Sequence, residues 1–323
     1  MTGRGVDAGR LAQRLALPLA WAALVGAFSI IRPETFPTVA NFAAIFGTQS
    51  VLVILALGLL LPLTAGDYDL SAGASLSLAA MTLALLNVNH HWPIGWAIVV
   101  GIAVAALVGV INGGIVVLLK IDPFIVTLGM GTLVTGVTYW IANSETVTGV
   151  SQSLVDGVFT TTFLSIPLSF YYAVGLCIAI WYVFEYTPMG RRLLFVGRGR
   201  SVARLSGIAV GRVRWGGLIA SATFAGFAGV VYAGTLGGTD PASGATNLLP
   251  AYAAAFLGAT SILPGRFNPW GTIIAVYFLV SGITGLQLLG LQDYVQQIFY
   301  GGALVLGVVL SQLTRRRQAE GEA

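Results

Sequence analysis

The sequence predicts an all-α polytopic membrane protein with about ten transmembrane helices. Three observations carry this. First, 56% of the 323 residues are hydrophobic and only 9% are charged, against about 25% charged in an ordinary soluble domain. Mean hydropathy is +0.87. Second, apolar runs of roughly 18 to 22 residues recur, each long enough to cross about 30 Å of hydrocarbon. Third, the arginines cluster between these runs in a pattern that sorts the loops to two sides. The short alternating segments of a membrane β-barrel are absent.

The expected spans, in order, are 15–31, 46–65, 71–88, 95–118, 123–142, 164–184, 213–234, 248–264, 268–289 and 292–310. The first follows Arg4, Arg10 and Arg14, like the charged start of a signal peptide. Further spans follow it, so it reads as an uncleaved helix. Arg191, Arg192, Arg198, Arg200, Arg204, Arg212 and Arg214 fill the loop before the seventh span. Arg315, Arg316 and Arg317 close the chain, and Lys120 and Arg266 lie in two short loops. With ten spans all these loops share one side, and the positive-inside rule makes it cytoplasmic. Both termini are then expected inside, as tails of about 1–14 and 311–323 on a single transmembrane domain, 1–323. The loops at 32–45, 89–94, 143–163, 235–247 and 290–291 face outward, with Arg32 the one exception to their lack of positive charge.

A weak internal echo divides the chain. Val108, Ile111 and Gly113 recur as Val280, Ile283 and Gly285. After a one-residue slip, Asp122, Leu133, Val134, Gly136 and Val137 recur as Asp293, Leu304, Val305, Gly307 and Val308. The fourth and ninth spans run in opposite senses, so spans 2–5 and 7–10 are expected to form inverted repeats, with a solute path between them.

Several chemistries are excluded. The one lysine, Lys120, follows no glycine-rich loop, so there is no P-loop. The only histidines, His90 and His91, lie beside Trp92 and Pro93 in an outer loop, where a solvated interfacial place is expected. Cys177 is single, so one chain forms no disulfide and no thiolate metal site. No serine stands in a nucleophile elbow. The spans hold almost no ionisable residues, which counts against a proton-driven carrier. Nucleic acid is no expected partner, because the net charge of +4 comes from loop arginines. The chain reads as a conduit whose energy and solute capture come from elsewhere.

The stretch "LTAGDYDLSAGASLS", residues 63–77, puts Asp67 and Asp69 between two apolar runs, among small residues including Gly73. The topology sets both aspartates at the cytoplasmic edge, and Asp69 can accept amides where the third span begins. The loop "TPMGRRLLFVGRGRSVARLSGIAVGRVRW", residues 187–215, is the longest cytoplasmic one. Val202, Leu205 and Ile208 give one apolar face of a short helix, with Ser201 as its cap and Gly207 as its end. One reading is a basic interfacial helix touching anionic lipid; the other is a docking helix for a cytoplasmic partner.

These segments resemble the permeases of sugar-type ABC importers, the ribose, xylose, arabinose and autoinducer-2 family. "TPMGRRLLFVGRGRSVARLSGIAVGRVR" is similar to that family's cytoplasmic loop, and "LTAGDYDLSAGASLSLAAM" to its Asp-Leu-Ser segment. "GVINGGIVVLLKIDPFIVTLGMGTLVTG" and "LLPAYAAAFLGATSILPGRFNPWGT" match two further blocks, in family order, over about residues 60–275. Asp67-Tyr68 stands where the family has Gly-Ile, and Ala259, Pro264 and Phe267 replace smaller or more flexible residues.

The resemblance implies a permease subunit of an ATP-driven importer in a bacterial cytoplasmic membrane, moving a monosaccharide or similar polar solute. It implies cytoplasmic ATPase subunits, an extracytoplasmic solute-binding protein and a second permease copy or homologue as partners. ATP and magnesium then belong to the ATPase, and this chain needs no cofactor or metal and performs no catalysis. The coupling loop is about 185–214, its helix 199–208; Ala203, Arg204, Ser206 and Gly207, with Arg200, face the ATPase.

For the solute path the candidates are Asn112, Phe124, Thr127, Thr132 and Asn247. Asn112 reads equally as a bond to a neighbouring helix, and Asn247 as a helix cap. Asp122 and Pro123 suit a helix start. Thr127, Thr132 and Thr135 suit a polar path or bonds to their own backbone. Trp140, Trp181 and Trp215 are expected in interface belts. A branched-chain amino-acid-type permease and a stand-alone secondary carrier are the alternatives.

Overall fold

The computed structural model describes residues 8–321, with side chains for residues 14–313. Arg4 lies outside the described residues, as do the side chains of Arg10, Arg315, Arg316 and Arg317, so the basic tails are not tested. The helices are α1 (Ala8–Ile31), α2 (Val39–Thr48), α3 (Ser50–Thr64), α4 (Ala72–Ala84), α5 (Ile94–Leu118), α6 (Pro123–Ile141), α7 (Gln152–Val155), α8 (Leu168–Tyr186), α9 (Pro188–Arg198), α10 (Arg200–Leu205), α11 (Val210–Leu236), α12 (Ala245–Gly258), α13 (Pro269–Leu288) and α14 (Tyr294–Gly321). Wide-turn helix at Leu85–Asn89 continues α4, and a second such turn at Asp156–Thr160 continues α7. Strands are confined to dipeptides: β1 (Val147–Thr148), β2 (Thr162–Phe163), β3 (Ile166–Pro167) and β4 (Gly238–Thr239). β1 pairs with β4 and β2 with β3, both antiparallel.

Among the described residues nine helical segments are long and apolar enough to cross a membrane. The difference from ten is the eighth expected span. Its helix, α12, has 14 residues, about 21 Å at 1.5 Å per residue, and residues 259–268 are irregular. Two other boundaries move. The expected outer loop 32–45 already contains most of α2, which meets α3 at Gln49, so helix runs over Val39–Thr64 with one break. The last helix runs to Gly321, so most of the tail expected from 311 is helical.

The centre of the bundle is α3, SVLVILALGLLLPLT, in which every residue is buried. It is apolar on all faces, and such a helix is stable only when wrapped on all faces. The wrapping comes from α11, α12, α8 and α13. By contrast α5 and α6 bury one stripe and leave Leu107, Leu118, Leu128, Leu133 and Trp140 exposed, as expected of helices at the rim of a membrane bundle.

The packing has a two-fold logic. α4 packs on α5 and α6, and α12 packs on α13 and α14. α3 packs on α12 and α13, and α11 on α4 and α5, while α3 meets α11 directly. Where the two halves meet, α4 and α12 start against each other. A Cβ on Gly73 would stand 2.6 Å from the Gly244 carbonyl oxygen, closer than real side-chain contacts allow, so the two backbones touch only because both positions are glycine. The Gly244 N–H donates to Ser77 Oγ at 2.7 Å, so the connection from Gly237 to Gly244 folds back onto α4.

Candidate coupling and gating site

The segment between α3 and α4, residues 65–71, is where α9, α10 and the start of α11 meet the bundle. α3 ends at Thr64, and Gly66 takes a left-handed φ of +79°. The Asp67 N–H turns back to the Pro62 carbonyl at 2.9 Å, so the loop leaves α3 through a tight turn.

Asp67 is completely buried and faces two guanidinium groups. Arg214 Nε donates to Oδ2 at 2.8 Å and its Nη2 to Oδ1 at 2.9 Å. Arg200 Nη2 donates to Oδ1 at 2.6 Å and to the Gly66 carbonyl at 2.8 Å. A buried carboxylate is costly unless it is paired and hydrogen-bonded, and two guanidiniums satisfy both requirements. The two-pronged arm is the stronger form, because the planar guanidinium matches the carboxylate's two oxygens.

Asp69 is equally buried, but hydroxyls hold it instead. Its Oδ1 accepts from the Ser71 N–H at 3.1 Å and from Ser71 Oγ at 2.6 Å. Ser71, at the N-cap position of α4, accepts in turn from Asn112 Nδ2 of α5 at 2.8 Å. The Asp69 N–H donates to Tyr252 Oη of α12 at 2.9 Å, and the Leu70 N–H to Thr127 Oγ1 of α6 at 3.0 Å. The Thr127 hydroxyl donates within its own helix to the Pro123 carbonyl at 2.7 Å. So three helices, α5, α6 and α12, grip one loop. Asp69 Oδ2 and Asn112 Oδ1 have no protein partner among the described residues.

The structure thus gathers Asp67 with Arg200, and Asp69 with Asn112 and Thr127. Asp122 stands at the N-cap of α6, accepting from the Phe124 N–H at 2.8 Å, with buried Pro123 as first helical residue. Phe124 is half-exposed and meets the ring of Tyr68 edge to face, centroids 6.4 Å apart. Thr132 lies on the exposed face of α6 and bonds the Leu128 carbonyl, away from this cluster. Asn247 is not the cap of its helix. Gly244 holds that position, and Asn247 Nδ2 donates back to the Ser243 carbonyl at 2.9 Å. The Trp215 indole lies over Gly113 and donates to the Val110 carbonyl at 3.0 Å, bolting α11 to α5. Trp140 is exposed, and Trp181 stacks edge to face on Trp270. His90 and His91 are exposed.

The arginine-rich loop, residues 187–215, holds two helices where one is expected. α9 is capped by Thr187 and buries Gly190, Leu193 and Val196. Gly197 rests against the Thr64 carbonyl, with no space for a side chain. The second helix, α10, is shorter than 199–208. Its N-cap is Gly199, and Ser201 lies inside it without capping. Gly207, at φ +79°, ends it through the Ile208 N–H to Ala203 carbonyl bond at 3.0 Å and the Gly207 N–H to Arg204 carbonyl bond at 3.1 Å, the paired closure of a glycine C-cap. Of the expected docking set, Ala203 is buried and Arg200 turns to its own chain, while Arg204, Ser206 and Gly207 are exposed. Val202 and Leu205 are exposed as well, Leu205 at 89%, whereas Ile208 packs onto the core. Arg214, Tyr252 and Tyr68 were not singled out from sequence for this site. The signal for Arg214 was a buried carboxylate that needs a cation beside a loop of seven arginines.

The sequence profile of a family described as "Branched-chain amino acid transport system / permease component" matches residues 41–308. The chain belongs to that family. It is 30% identical over 292 residues to the D-allose transport system permease protein AlsC of Escherichia coli (strain K12), covering 90% of this chain and 89% of the relative. It is likewise 30% identical to the ribose import permease protein RbsC of Bacillus subtilis (strain 168), with 90% and 89% covered. The autoinducer 2 import system permease protein LsrD of Salmonella paratyphi A is 27% identical, with 88% and 86% covered. No solved structure matches the chain. The chain is therefore a multi-pass membrane permease component, a transport subunit rather than an enzyme.

Proposed function

We propose that this chain is the membrane subunit of an ATP-driven importer that carries a monosaccharide or closely similar polar solute across the bacterial cytoplasmic membrane. The observation that carries the reading is the likeness, over nine-tenths of both chains, to permeases named for D-allose and ribose. The geometry is compatible with it. α10 presents Val202, Arg204, Leu205 and Ser206 outward, a short mixed apolar and basic face suited to a groove on a partner. Its inner face is tied to the loop that α5, α6 and α12 grip.

In this reading two ATPase subunits hold the ATP and magnesium, and this chain holds neither. A second permease copy completes the path, a binding protein outside selects the solute, and both termini lie inside. α3–α6 and α11–α14 are inverted repeats, supported by their matching packing partners. Closure of the ATPases moves α10, and the loop carries that motion to the start of α6 and α4, where Tyr68 and Phe124 stand at the edge of the path.

Reconstitution tests the reading. The chain alone, and the chain with its ATPase and binding protein, are placed in liposomes and solute uptake is followed. Uptake only in the complete system, and only with ATP, is expected. Uptake by the lone chain without ATP would refute it in favour of a secondary carrier. The family description names branched-chain amino acids, so leucine and ribose are offered in parallel, and ribose-type solutes are expected to win. Arg204→Glu and Gly207→Trp, on the exposed end of α10, are expected to separate ATP hydrolysis from uptake.

A further inference from the structure

We propose that Asp67 and Arg200 form a switchable joint that delivers movement of α10 to the α3–α4 loop, and that Arg214 is its fixed anchor. The inference rests on the permease reading above and adds a positioning role for three side chains. The two arginine arms are unequal. Arg214 binds both carboxylate oxygens, its side chain is 14% exposed, and it belongs to α11, which packs along α3, α4 and α5. Arg200 uses one nitrogen, its side chain is 41% exposed, and it opens a helix of six residues.

That inequality decides which arm can open. Were Arg214 to leave, a buried carboxylate would lose its main partner, which is strongly unfavourable. Were Arg200 to leave, the carboxylate would remain compensated by Arg214, and the freed guanidinium would pass into water, where an ion pair is worth little. The same Arg200 nitrogen also holds the Gly66 carbonyl. A pull on α10 therefore acts on the loop backbone at the turn out of α3. From there the loop passes the displacement on, through Leu70 to Thr127 of α6 and through Asp69 to Tyr252 of α12. α9, packed on the Thr64 carbonyl, holds the end of α3 steady while α10 moves.

The test uses the complete transporter in liposomes and reads two numbers, solute taken up and ATP hydrolysed, for wild type, Arg200→Gln, Arg200→Lys and Arg214→Gln. The variant Arg200→Gln is expected to co-purify with the ATPase as wild type does. Its uptake per ATP should fall about tenfold, within the usual range of coupling between distant sites. Arg200→Lys restores a charged donor to Asp67 and should recover part of that ratio, which a merely structural role would not require. Arg214→Gln should instead lower the yield of folded protein. A wild-type ratio in Arg200→Gln would overturn the joint while leaving the permease reading intact. Loss of folded protein in Arg200→Gln equal to that in Arg214→Gln would also overturn it. Uptake by wild type without ATP would overturn both together.

Discussion

Asp67 and Asp69 sit two residues apart in one loop, are equally buried, and are held by opposite means. Asp67 is a charge matched by charges, and its partners, Arg200 at the start of α10 and Arg214 near the start of α11, lie 133 and 147 residues along the chain. Asp69 is bonded by Ser71, and its backbone by Tyr252, with Asn112 and Thr127 as next neighbours, all from helices of the bundle. One ties the loop to α10 and α11, the other to α4, α5, α6 and α12. The lesson is that residue type says little about role in a membrane protein; what arrives opposite a carboxylate decides it.

Four substitutions sharpen that contrast, in falling order of effect. Asp67→Ala strips the largely buried Arg214 guanidinium of its counter-charge, with the more exposed Arg200 beside it, and removing one partner of a buried pair costs about 3–5 kcal/mol. Little folded protein is expected, measured as the monodisperse fraction in detergent. Asp69→Ala removes two hydrogen bonds to Ser71 without stranding a charge, so about 1–3 kcal/mol is expected, read as a lowered thermal midpoint in detergent with the fold retained. A larger loss for Asp69→Ala than for Asp67→Ala would reverse the comparison. Thr127→Val strands the Leu70 N–H, and about 1 kcal/mol is expected, with Tyr68 and Phe124 loosened, visible as faster hydrogen exchange at residues 66–71. Smallest is Asp69→Asn. It keeps an acceptor for the Ser71 N–H and hydroxyl, so the midpoint should barely move and uptake should persist.

Much of this was legible in the sequence. The spans follow from hydropathy because a backbone in lipid must satisfy itself within helices. The cap at Asp122-Pro123 and the stop at Gly207 follow from local backbone chemistry. The misreadings also have physical causes. Asn247 looked like a cap because it opens an apolar run, but the contact of Gly244 with Gly73 fixes where α12 starts. α12 falls short at its other end, where the chain leaves helix after Gly258 and runs irregularly to Asn268. Ser201 looked like a cap from its chemistry, yet the chain had already turned at Gly199, after a separate helix α9. Arg214 lay among seven arginines, and no local spacing says which one reaches a carboxylate so far away in sequence.

The central claim, that α10 drives the loop through Arg200, is tested most directly by paired spin labels. Cys177, the only cysteine, is replaced by Ala. One label then stands at Val202, exposed on α10, and one at Phe124, half-exposed beside Tyr68. Their distance distribution is recorded in the assembled transporter with and without ATP. In the otherwise wild-type chain the distribution and the mobility of the Phe124 label should both change with ATP. In Arg200→Gln the distance should still change, because α10 still moves, while the mobility at Phe124 stays as without ATP. An ATP-dependent change at Phe124 as large in Arg200→Gln as in wild type would contradict the account.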